Sequence, residues 1–236
     1  MMVRVFLVVL LVGWCHAQDG SPVILYPCGV SNIDMDCVRA FMYQNIDCTP
    51  SCHSDGQPVS MPTQYAYLPS LNVTAISSGV EVTYGGSQVV AFYLNTATNI
   101  LVFALDFSSL EFYSSSTLFQ LAQRRAEPKT VSDYVRVTYA PELTANIKYR
   151  PLMGLTFDDV TVTAYHKEPF PYFEVGPNVT QSPDPEVRRK LQLLLNDETT
   201  AVQELFLTAA YYDFFGFVKA YLCDFGSEYN GAVNRS

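Results

Sequence analysis

One asymmetry limits what this chain can fold into more than any other feature. Between residues 71 and 175 apolar side chains recur at every second position; between 183 and 223 they recur at helical spacing. GVEVTYGG alternates Val80, Val82 and Tyr84 with Glu81 and Thr83, and YVRVTYA, TANIKYR and DDVTVTAYH repeat the pattern. Period two puts one set of side chains on a buried sheet face. VVAFYLN and ILVFALDF are apolar on both faces, which predicts strands covered on both sides. NTATN between them reads as a turn. Strands at this spacing predict an antiparallel meander. Beyond Pro183 the series Val187, Leu191, Leu194, Val202, Leu205, Phe206, Ala209 and Phe217 predicts one long helix, or two broken near Asn196-Asp197-Glu198. Ser182 or Asp184, each followed by a proline, can cap the start. The combination is α+β: an antiparallel β-sheet packed on a long C-terminal α-helix.

The opening MMVRVFLVVLLVGWCHAQDG carries Arg4, a short apolar run, and the small residues Cys15 and Ala17. This is the pattern of a signal peptide cleaved after Ala17. The run is too short to span a bilayer. Residues 18–236 are then expected to form a single secreted, extracellular domain. It divides into a cysteine- and proline-rich segment (18–70), a β-rich segment (71–175) and a helical one (182–225). Within the first, DMDCVRAFMY predicts a short helix, and Pro58, Pro62 and Pro69 keep the following stretch extended.

In an oxidising compartment spaced cysteines are disulfides first. CTPSCH, at residues 48–53, lacks the second ligand pair that a zinc site needs. It is also not the C-x-x-C of a redox pair. Cys28 and Cys37 are near each other in sequence and are expected to pair. Cys223 then takes Cys48 or Cys52, and one thiol is left over.

A formal net charge of −9 disfavours nucleic acid and anionic membrane as partners. No residue set assembles catalysis. His53 sits in the cysteine loop, and His166 ends a strand beside Lys167. Gly85-Gly86-Ser87 lacks the G-x-S-x-G elbow and reads as a hairpin turn. Asp158-Asp159 reads as an acidic turn before the strand at Val160. No catalytic residue, metal or cofactor is assigned. Asn72-Val73-Thr74 and Asn178-Val179-Thr180 are glycosylation sequons; Asn234-Arg235-Ser236 fits the pattern at the chain end.

YPCGVSNIDMDC, the further Cys48, and GQPVSMPTQYAYLPSLNVT resemble the amino-terminal part of the fibrohexamerin family, the small glycoprotein subunits of lepidopteran silk fibroin. The resemblance continues through VAFYLN, LEFYSSSTLFQLA and KTVSDYVRV and covers residues 26–165. It implies a non-catalytic structural protein of the silk-gland lumen. Such a protein associates non-covalently with disulfide-linked heavy and light fibroin chains and keeps them secretable. Cys28, Cys37 and Cys48 match the family's amino-terminal cysteines, and Asn72 matches a glycosylated position. The chain departs from the family in lacking cysteines near Gln88 and Phe107 and in carrying the extra Cys52. A fainter similarity links the cysteine-stapled start, the strands and LQLLLNDETTAVQELFLTAAYYDFFGF to juvenile-hormone-binding and takeout proteins. Those wrap a curved antiparallel sheet around a long helix and hold an apolar ligand. This similarity implies an alternative function, carriage of a small hydrophobic molecule, with Phe103, Leu105, Leu205, Phe206 and Phe217 along a tunnel. Read from pattern alone, the same residues are packed core.

Overall fold

The computed structural model describes residues 23–54, 56–151, 153–167, 171–196 and 200–224. The leader, Asp197 and the sequon at Asn234 lie outside the described residues. The strands are β1 (Ile24–Leu25), β2 (Thr49–Pro50), β3 (Pro58–Met61), β4 (Gln64–Leu68), β5 (Val73–Asn95), β6 (Ile100–Gln123), β7 (Ala126–Tyr139), β8 (Pro141–Arg150), β9 (Gly154–His166), β10 (Tyr172–Val175) and β11 (Cys223–Asp224). The helices are α1 (Met35–Asn45), α2 (Pro177–Thr180), α3 (Pro185–Gln192) and α4 (Thr200–Tyr221), with a 3-10 turn at Leu193–Leu195.

The large sheet is antiparallel and follows chain order. β5 and β6 pair along nearly their full lengths. The far edge of β6 is shared: β7 takes residues 110–123 and β8 takes residues 100–106. With Ala140 alone between them, β7 and β8 form one interrupted line beside β6. β9 and β10 form the next line, pairing with β8 and β7. On the other side β4, β3 and β1 pair in turn along β5. The result is a meander whose outer lines are each built from more than one strand.

Two strand features differ from the reading of the sequence. Gly85-Gly86-Ser87 is not a turn; β5 runs straight through it. Gly79 and Gly86 take φ of 57° and 59° inside the strand. A Cβ at either would strike Ser115 Oγ or Ser108 Oγ on β6. Glycine there lets a long strand bend without leaving its partner. Likewise the strand at Val160 begins earlier, at Gly154, so the backbone of Asp158-Asp159 lies within β9 rather than in a turn. Strand structure also starts before residue 71, because β3 and β4 are built from the proline-rich approach.

α4 is apolar around most of its circumference because the sheet wraps it. It touches β4 near one edge and β9 at the other, as well as β3, β5 and β8. Its inner face meets sheet aromatics edge-to-face: Phe214 against Phe103 at 5.6 Å, Phe217 against Phe107 at 5.4 Å and against Tyr84 at 5.7 Å. Offset and T-shaped rings of this kind add about 0.5–1.5 kcal/mol per pair beyond the area they bury. The helical region is broken as the spacing allowed, and Asp184 caps α3 by accepting from the N–H groups of Glu186 and Val187.

Candidate functional site

The cysteine loop resolves into a clamp on the end of α4. Cys28 bonds Cys37, and Cys48 bonds Cys223, each with Cα atoms 5.6 Å apart. Cys52, grouped with the staple cysteines in the sequence, is free and exposed. β2 and β11 pair around the second bond. The last carbonyls of a helix have no intrahelical donor. Here the amino-terminal segment supplies them. His53 N and Ser51 Oγ both donate to Ala220 O, at 3.0 and 2.7 Å. Arg39 Nε donates to Tyr221 O at 2.8 Å. A cation at that end also favours the helix dipole. Arg39 drew no attention in the sequence, where it is one residue of a short helix. His53 lies edge-on near Tyr221, with ring centroids 6.5 Å apart. Among the described residues no group of three or more His, Cys, Asp or Glu side chains is placed to hold a metal.

A pocket opens between α4 and the sheet. Its cavity volume is about 70 Å³; the whole depression, including space open to solvent, spans about 800 Å³. Ala75, Phe119, Val137 and Phe173 line it from the sheet, and Leu205 and Phe206 from α4. Of the residues expected along a tunnel, only these last two lie there. Phe103, Leu105 and Phe217 are fully buried and packed instead, so they are core. A continuous apolar strand looks the same in either role.

One row of polar side chains crosses the pocket wall. Gln64 pairs with Ser77 between β4 and β5, and Ser77 with Thr117 between β5 and β6. All three are buried. Ser114 Oγ donates to Ser78 O at 2.9 Å, and Thr117 Oγ1 donates to Ser114 Oγ at 3.0 Å. Thr117 has only one hydrogen, so Ser77 is the donor in its 3.0 Å contact with Thr117. Gln64 Nε2 is buried and has no partner. The signal available in the sequence was faint: Gln64 and Ser77 occupy inward positions of alternating runs where Ala66, Leu68, Val73 and Ala75 are apolar.

Beside the pocket lies a buried carboxyl. Asp213, in the middle of α4, is 2% exposed. Tyr139 Oη donates to its Oδ2, and Tyr84 Oη donates to its backbone carbonyl at 3.0 Å. Burial pushes its pKa up to about 7, against the hydrogen bond from Tyr139, which pulls it down. Burial and the neighbouring carboxyl push the hydroxyls of Tyr84 and Tyr139 well above their usual range.

The two expected glycosylation sites are both exposed. Asn72 stands in the turn between β4 and β5 at φ 52°, its Oδ1 accepting from Tyr67 Oη at 3.0 Å. Asn178 lies in α2 and donates to Ser132 O at 3.0 Å. No helix among the described residues is long and apolar enough to cross a membrane.

The family profile described as Fibroin P25 matches residues 24–227, nearly the whole described chain. It bears out the resemblance seen in the amino-terminal segment. No curated protein matches the sequence significantly. Among solved structures, the crystal structure of Takeout 1 from Epiphyas postvittana is similar at a TM-score of 0.45 and 12% identity, covering 79% of this chain and 91% of that one.

Proposed function

This chain belongs to the Fibroin P25 family, and from that premise we propose that it is a secreted, non-catalytic structural glycoprotein that associates with silk fibroin heavy and light chains and aids their assembly and secretion. The observation that carries this reading is the extent of the family match, residues 24–227. On it, residues 1–17 are a cleaved leader, the remainder is one domain, and Asn72 and Asn178 carry glycans that keep the assembly hydrated. The contact with fibroin is non-covalent and apolar. Val23, Ile24, Leu25 and Tyr26 are each more than 40% exposed beside the β5 edge and offer such a surface.

The test is native mass spectrometry of the protein drawn from its own secretion without reductant. Co-migrating fibroin chains support the reading. A free monomer in silk-gland secretion sinks it. Fibroin mass released only by reductant assigns the link to the Cys52 thiol and overturns non-covalent association.

A second reading, carriage of a small hydrophobic molecule, is favoured by one observation: the apolar pocket between α4 and the sheet.

A further inference from the structure

A buried donor left without an acceptor costs about 1–3 kcal/mol. Gln64 Nε2 is such a donor, on a side chain more than nine-tenths buried in the wall of a pocket lined mostly by apolar side chains. The neighbouring hydroxyls do not compete with it for an acceptor. The hydroxyl hydrogens of Ser77, Thr117, Tyr139 and Thr208 are all committed within the protein. The Gln64 amide is therefore the polar group of that row with hydrogens to give.

Resting on the carriage reading, we infer that the pocket takes a slender aliphatic molecule with a neutral oxygen-bearing head, an alcohol or an ester, which accepts a hydrogen bond from Gln64 Nε2. Three features set this class. The cavity of about 70 Å³ takes only a few heavy atoms, so the head and its first carbons enter while a slender chain, rather than fused rings, trails along the depression of about 800 Å³ that opens to solvent. Among the described residues the lining holds no lysine, arginine or histidine, so a carboxylate or phosphate head would be buried without a counter-charge. The head must carry an acceptor, because an alkane leaves the amide as it is. The chain then lies against Phe119, Val137 and Leu205; Phe206 and Pro171 also border a second depression.

The experiment is isothermal titration calorimetry of the full secreted protein at pH 8 with decan-1-ol, decane and decanoic acid. Decan-1-ol is expected to bind about tenfold more tightly than either of the others, the equivalent of one hydrogen bond at a desolvated site. Gln64→Leu should remove the advantage of the alcohol and leave decane unchanged. Ala209→Trp, which places a large ring at the α4 side of the pocket, should abolish binding of all three with an unchanged circular-dichroism spectrum. If decanoic acid matches or exceeds the alcohol, or if decane and decan-1-ol bind alike and Gln64→Leu changes nothing, the head-group inference is overturned while carriage stands. If none of the three binds, carriage itself falls.

Discussion

Replacing Asp213 by asparagine isolates the cost of a carboxyl held deep inside the fold. The unfolded chain ionises this group near 3.8, whereas the folded protein holds its proton up to about pH 7. Between those values the folded state binds more protons than the unfolded state. Stability from this group is therefore greatest below pH 4, falls as pH rises through the window, and levels off above 7. Three pKa units at 1.36 kcal/mol each make the fall about 4 kcal/mol. The asparagine amide does not titrate, so the variant's stability curve lacks this slope. It keeps an acceptor for the Tyr139 hydroxyl, and at low pH it differs little from the protonated acid. The assay is urea unfolding followed by circular dichroism at pH 4.5, 6, 7 and 8, with disulfides intact. Every other titrating group contributes alike to both proteins and cancels in the difference. The wild type should lose ground to Asp213→Asn steadily toward pH 7 and then hold a constant gap. Parallel curves would refute the reasoning, and so would a wild type that gains on the variant as pH rises.

Two further outcomes follow from the staple and the bent strand. Cys48→Ser should lower unfolding free energy by up to about 5 kcal/mol, the chain-entropy value for a closure of 175 residues; urea titration of the variant under oxidising conditions reads it, and a loss below about 1 kcal/mol would mean that the β2–β11 pairing and the Arg39 and Ser51 bonds hold the ends together unaided. Gly86→Ala should cost at least about 1–2 kcal/mol from left-handed backbone alone, with more from the clash against Ser108 Oγ; thermal melts of Gly86→Ala with and without Ser108→Gly separate the two parts, and an unchanged melting temperature would disprove the bend.

Much of the architecture was legible because side-chain period reports backbone geometry directly. The alternating runs became β5, β7, β8 and β9, and the helical run became α3 and α4. What stayed hidden depended on three-dimensional neighbours. The run LEFYSSSTLFQLA has three serines at its centre, yet it completes β6, where the Ser114 hydroxyl donates to Ser78 O on the neighbouring strand and accepts from Thr117. Gly85-Gly86 looked like a stop because glycine is as common in turns as in bends, and only the partner strand distinguishes them. Cys48 and Cys52 were equivalent partners for Cys223 until β2 placed Cys48 at the bond. Of the pocket, Leu205 and Phe206 were anticipated; Gln64 was not, since one inward polar residue in a short strand carries no period of its own.

The bond between Cys48 and Cys223 also sets an order of events during synthesis. Ribosomes add about 5–20 residues per second, so Cys48 waits roughly 9–35 s for a partner that lies 175 residues downstream. Cys28 and Cys37, only 9 residues apart, close early. Through the interval two thiols, Cys48 and Cys52, stand four positions apart on the emerging chain while the strands β3 to β10 are made. α4, the last element around which that sheet closes, arrives together with Cys223. Closure of the ring and burial of the helix are thus a single terminal step, and a full-length chain that has not passed it is marked by three thiols, Cys48, Cys52 and Cys223, where the closed one keeps Cys52 alone among the described residues.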